Sequence, residues 1–67
     1  MPYINVRILE GATTQQKADV IAGITDVMVK VLGKNPDTTH VVIDEVPLDN
    51  WGLKGKSVAE LRKQSGS

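Results

Sequence analysis

An apolar stripe at helical spacing runs from Val20 to Leu32, and a strand-like segment lies on either side of it. Val20, Ile21, Ile24, Val27, Met28, Val31 and Leu32 recur at the period that lines up side chains on one face of an α-helix. Thr13 with Gln16 fits a capping box, in which two side chains satisfy orphan amides at a helix start. Gly33 stands where a left-handed C-cap belongs, and Asn35-Pro36 prevents continuation. The pattern predicts a helix of about 19 residues, roughly 28 Å long at 1.5 Å per residue. Upstream, residues 2–9 alternate, with Ile4, Val6 and Ile8 on one face and Tyr3, Asn5 and Arg7 on the other. Downstream, His40-Val41-Val42-Ile43-Asp44-Glu45-Val46 reads as a second strand ended by Pro47. Its apolar centre lacks clean alternation, which predicts burial on both faces. Strand, long helix, strand is a βαβ unit, with parallel strands and a right-handed crossover.

Beyond the second strand, Asp49-Asn50-Trp51-Gly52-Leu53-Lys54-Gly55-Lys56 is glycine-punctuated and suits a loop or a short hairpin. Ser57 and Glu60 repeat the capping-box spacing, so a short helix is expected from Ser57 onward. The tail Gln64-Ser65-Gly66-Ser67 is expected to fray. No internal repeat or low-complexity linker interrupts the chain, so residues 1–67 read as a single α/β domain.

Two strands do not make a stable sheet alone. A chain of 67 residues buries only about 60% of the surface its unfolded form exposes. Small domains compensate with disulfides, a metal or association. The chain has no cysteine, which excludes disulfides, zinc-thiolate sites and thiol catalysis, and its single histidine, His40, cannot build a histidine-rich metal site. Homo-oligomerisation remains, with strands from another copy completing the sheet. Formal charge balances to zero without a basic block, which argues against nucleic acid as a partner. No apolar run approaches the roughly 20 residues of a membrane span. The N-terminus lacks the pattern of a signal peptide, so a soluble, cytoplasmic protein is the default expectation.

Pro2 follows the initiator Met1 directly. Methionine aminopeptidases remove an initiator Met when the next side chain is small, and proline qualifies. The mature chain would then begin with a secondary amine at the mouth of the first strand. An N-terminal amine titrates near pH 8, against roughly 10.4 for lysine. Apolar neighbours lower that value further by disfavouring the charged form. A neutral amine is a competent general base, or a nucleophile toward a carbonyl carbon. Taken alone, a second-position proline is more often incidental.

The order of parts narrows the choice. Pro2 opens a parallel strand, the strand ends in Leu9-Glu10-Gly11, and one long helix leads to a second strand. An aromatic residue then sits in Asn50-Trp51-Gly52-Leu53. From Pro2 to about Leu61 the chain resembles the 4-oxalocrotonate tautomerase family, the short-chain members of the tautomerase superfamily. Ile43-Asp44-Glu45-Val46 followed by Asn50-Trp51-Gly52-Leu53 is similar to a branch of unassigned physiological substrate. The resemblance implies a βαβ protomer that dimerises into a four-stranded sheet with two helices on one face. It also implies that three such dimers form a hexamer. It implies an isomerase that needs no metal or cofactor and acts on a small enol or 2-oxo acid. Pro2 would be the catalytic base, moving a proton between carbons of a 2-hydroxymuconate-like diacid or a mono-acid relative.

Two departures stand out. The family places an arginine just after the Glu-Gly that ends the first strand, where it binds a substrate carboxylate; this chain has Ala12. A second family arginine, near the start of the second strand, matches His40. A bidentate guanidinium is not replaced by a methyl group or an imidazole. His40 could still donate to an oxyanion, or be a strand-start histidine with no role. The family's pocket-wall aromatic matches Trp51, which would exclude water and pack against an unsaturated substrate. An interface anchor is the other reading of Trp51. Arg7, Lys34, Lys54 and Lys56 are the cations within this chain that a neighbour's pocket could recruit, although most lysines on a small domain are simply solvated. Asp49 is the only acid near Trp51, which disfavours a water-activating dehalogenase, and Glu10 and Glu45 read as structural, capping or interface groups. Two alternatives stay open: the same scaffold with divergent carbonyl or enone chemistry, and a non-enzymatic assembly module if Met1 is retained.

Overall fold

The computed structural model describes residues 1–64. Strand β1 (Tyr3–Leu9) leads to helix α1 (Thr14–Leu32), and the chain returns through a 3-10 turn at Pro36–Thr38 to strand β2 (His40–Val46). A second 3-10 turn at Leu48–Asn50 precedes a hairpin of β3 (Gly52–Leu53) and β4 (Lys56–Ser57), and helix α2 (Val58–Gln64) closes the described chain. The expected βαβ unit is present, with β1 and β2 parallel in a register running from Tyr3↔His40 to Leu9↔Val46. β1 begins one residue later than the alternation alone suggests, because Pro2 has no N–H to give to a ladder. The fraying expected of the tail falls on Ser65–Ser67, outside the described residues, except for Gln64, which ends α2.

Local chemistry sets the ends of α1. The Gln16 N–H donates to Thr13 Oγ1 at 3.1 Å, and the Thr13 N–H donates to Gln16 Oε1 at 2.9 Å. This is the capping box read from sequence. Gly33 adopts φ 67°, and the Gly33 and Lys34 N–H groups return to the carbonyls of Val29 and Met28. A β-carbon would be strained in that conformation. Of the two readings for the glycine-rich segment, the hairpin is the one realised: Lys54 and Gly55 take φ 57° and 77°, the doubly left-handed turn that suits a two-residue β-hairpin. Ser57 caps α2 by accepting from the Glu60 N–H at 3.1 Å.

Helix α1 packs against β2, covering the sheet face that carries Ile4, Val6, Ile8, Val41 and Ile43, all half-buried. Its half-buried arc is Lys17, Ile24, Thr25, Met28 and Val29. The apolar stripe is wider than that arc. Val20, Val27 and Val31 form an uncovered ridge along one side of it, and Val31 is 72% exposed. The opposite sheet face, with Tyr3, Asn5, Arg7, His40, Val42 and Asp44, has nothing packed on it from β1 or α1. The two-faced burial expected of β2 is therefore not met within one chain: Val42 is 39% exposed. The same chain supplies a cover for one face only.

Among the described residues Val58, at 7% exposure, is the one buried side chain. The molecule measures 45 × 23 × 16 Å, with a radius of gyration of 15.5 Å. A self-contained globule of this length would have about 11 Å. The chain is thus an open frame that leaves much of its apolar surface uncovered. Among the described residues no helix is long and apolar enough to cross a membrane.

Candidate active site

Strand β1 starts beside β2, and that puts Pro2 and His40 at one end of the sheet. The His40 N–H donates to the Pro2 carbonyl at 2.9 Å, fixing the backbone on the carbonyl side of the proline. On its other side, Met1 is 86% exposed, so the Met1–Pro2 bond is open to an aminopeptidase. With Met1 attached, the proline nitrogen is an amide and has no basic lone pair. Removal of Met1 leaves a secondary amine on a half-buried ring, next to a strand whose inward side chains are apolar.

Register separates the two side chains that backbone pairing brings close. His40 is opposite Tyr3, so its exposed imidazole shares a face with Tyr3, Asn5 and Arg7. Alternation groups Pro2 with Ile4 and Val6 on the other face. On the imidazole's face, Asn5 Nδ2 donates to Asp44 Oδ2 at 2.8 Å, and the Arg7 guanidinium lies 3.7 Å from the same oxygen. Asp44 therefore occupies Arg7, although a pair this exposed and this long is weak.

Trp51 belongs to the other end. The strands carry the chain roughly 20 Å from Pro2 before β2 finishes. There the Glu10 N–H donates to the Val46 carbonyl at 3.0 Å, and Glu10 Oε1 accepts from the Leu48 N–H at 3.3 Å. Trp51 follows the Leu48–Asn50 turn, half-buried, and its carbonyl accepts from the Val58 N–H at 2.8 Å. Ala12, half-buried, sits in the link between β1 and α1 at the same end. The fold thus groups Pro2 with His40, and Trp51 with Glu10 and Ala12, at opposite ends of the sheet.

Next to Ala12, Lys17 of α1 forms a close ion pair with Glu45 of β2. The Lys17 hydrogen bond holds the Glu45 carboxyl below its ordinary value; desolvation opposes this, while the Lys17 charge and the Gly11 N–H add to it. Lys17 is thereby committed to a carboxylate of its own chain. Glu10 and Glu45, read from sequence as structural groups, are both engaged in holding this end together. Nothing in the sequence pattern pointed to Lys17, because its partner is 28 residues away. Among the described residues no three His, Cys, Asp or Glu side chains converge as a metal site would require.

Comparison with known proteins extends the picture. A family model described as tautomerase enzyme matches residues 2–61, starting at Pro2. A protein of Dickeya dadantii (strain 3937) described as "Probable tautomerase K2" is 54% identical over 66 residues, covering 97% of this chain and 98% of that one. The crystal structure of TomN, a 4-oxalocrotonate tautomerase homologue in the tomaymycin biosynthetic pathway, superposes with a TM-score of 0.88 at 35% identity, covering 98% of this chain and all of that one (100%). A heterohexamer 4-oxalocrotonate tautomerase from Chloroflexus aurantiacus J-10-fl superposes with a TM-score of 0.85 at 31% identity, covering 92% of this chain and 100% of its own.

Proposed function

Since the chain belongs to the tautomerase family, an isomerase family, we propose that it is a proline-based tautomerase of small enol or 2-oxo acids. The match of the family model beginning at Pro2, immediately behind an exposed Met1, carries this reading. Once Met1 is removed, the proline nitrogen is a secondary amine. It takes a proton from the substrate enol or from the carbon next to its carbonyl, becomes an ammonium, and returns the proton at another carbon of the conjugated system. The half-buried ring and the apolar inward face of β1 favour the neutral amine that the first step needs.

The pocket is composite in this reading. Pro2 and Trp51 of one chain lie at opposite ends of the sheet, so a neighbouring protomer in antiparallel orientation supplies the Trp51 that covers Pro2. The free sheet edges and the Val20-Val27-Val31 ridge are suitable contact surface for it. The Chloroflexus neighbour is a heterohexamer, which supports the hexamer we propose for this chain, a trimer of dimers. Trp51 excludes water and packs on the substrate's flat conjugated system. His40 reaches a pocket from the open sheet face, as a hydrogen-bond donor to the developing oxyanion.

Substrate charge follows from what flanks Trp51. Ala12 contributes no cation, and Lys17 is already paired with Glu45. A substrate with one carboxylate fits this arrangement better than a diacid. A second reading, in which Pro2 acts on a neutral enone or an unrelated carbonyl, draws on the same absence of a guanidinium at position 12. Intact-mass measurement followed by rate comparison tests the proposal. We expect a chain lacking Met1 that turns over a mono-acid enol such as phenylenolpyruvate faster than a diacid dienol. Met1 retained on every chain would refute the base, and a strong diacid preference would refute the substrate class.

A further inference from the structure

The last rungs of the β1–β2 ladder contain a substitution of side chain for backbone. In a parallel pair the bonds alternate evenly between strands. Past Leu9↔Val46, the next bond is Glu10 N–H to the Val46 carbonyl, and it is made at 3.0 Å. The regular successor would run from the Leu48 N–H to the Glu10 main-chain carbonyl. Instead the Leu48 N–H donates to Oε1 of the Glu10 side chain at 3.3 Å. Pro47, between them, has no N–H to offer.

This exchange has a geometric consequence. A side-chain acceptor stands farther from the β1 backbone than the carbonyl would, so the chain leaves the sheet at Leu48 rather than continuing as strand. It turns at once, and the Asn50 N–H closes the 3-10 turn on the Pro47 carbonyl at 2.9 Å. Trp51 is the next residue. On the β1 side, Gly11 at φ 126° bends the chain away at the same point. Both segments thus diverge at a junction bridged by the Glu10 side chain.

We infer that Glu10 is a positioning residue for Trp51: its carboxylate takes the ladder place of its own carbonyl and thereby sets the direction in which the Trp51 segment leaves β2. Glu10 touches no reacting atom in this role. The role matters to catalysis through the reading of Trp51 as the wall of a neighbour's pocket, on which this inference rests. Its structural part is independent of that reading.

Trp51 is the single tryptophan of the chain, so its fluorescence reports this position alone. In the assembled enzyme, Glu10→Ala is expected to red-shift Trp51 emission, increase its quenching by acrylamide, and lower kcat/KM by roughly fivefold, the scale of one lost hydrogen bond. Glu10→Gln keeps an acceptor oxygen and is expected to restore both signals toward the parent. Unchanged Trp51 emission in Glu10→Ala would overturn the inference. So would equal displacement in both variants, which would trace the effect to lost charge. Amide exchange in the unmodified protein needs no variant: the Leu48 N–H is expected to exchange more slowly than the neighbouring Asp49 N–H, and an unprotected Leu48 would overturn the inference. Altered Trp51 emission without any change in kcat/KM would leave the positioning intact and refute the pocket reading of Trp51.

Discussion

The backbone N–H of His40 donates to the carbonyl of Pro2 at 2.9 Å, while the His40 side chain faces away with Tyr3. One hydrogen bond thus anchors the proposed base at the start of β1 and leaves its nitrogen outside the ladder. The same register sends Trp51 to the far end of the sheet, which is why the proposed site draws its Trp51 from a second chain.

Sharing has a direct test in mixed assemblies. Pro2→Ala and Trp51→Ala chains are each expected to have low activity. Co-refolded in equal amounts, they should regain it in roughly a quarter of the pockets, the random-mixing share for a site built by two chains. Activity no greater than the sum of the parents would place both residues in one protomer's pocket.

Acid should weaken the junction beside Ala12. Glu45 holds its proton less readily in the folded chain than in the unfolded one, because Lys17 stabilises the carboxylate. Its contribution to stability is complete above the ordinary value of 4.5 and is lost as pH falls through the lower folded value. Glu45→Gln should therefore lower Tm more at pH 7 than at a pH well below the ordinary value of 4.5. Added salt should narrow the difference at neutral pH. Equal destabilisation at both pH values would assign Glu45 to packing instead.

Substrate preference should respond to position 12. Ala12→Arg adds a guanidinium at the end of the sheet from which the Trp51 segment leaves, where Lys17 is occupied. The ratio of kcat/KM for a diacid dienol over a mono-acid enol is expected to rise roughly tenfold or more, the scale of one charge-assisted hydrogen bond. An unchanged ratio would show that position 12 does not face the substrate.

Much of this architecture is written locally. Thr13 and Gln16, Gly33, and the seven residues of β2 carry their own signals, because caps, left-handed turns and strand ends depend on neighbours in sequence. The Lys54-Gly55 turn was only half legible, since a lysine at φ 57° is unusual and the segment suits a loop equally. Contacts between distant segments left no such trace. Lys17–Glu45 and Glu10–Leu48 exist only once the strands are in register. Val41-Val42-Ile43 predicts two covered faces, yet one chain covers one face. That pattern is written for a surface the protomer does not contain. For the same reason sequence could name Pro2, His40 and Trp51 but not divide them between the ends of the sheet.

In the proposed mechanism the free nitrogen of Pro2 is the base. Its most direct test is kcat/KM on a mono-acid enol for two chains of verified mass and equal assembly state, the parent lacking Met1 and Pro2→Ala likewise processed. The substitution exchanges a secondary amine on a rigid ring for a flexible primary amine. A loss of roughly a hundredfold or more, the scale of a general base, is predicted. Undiminished activity in Pro2→Ala would contradict the account.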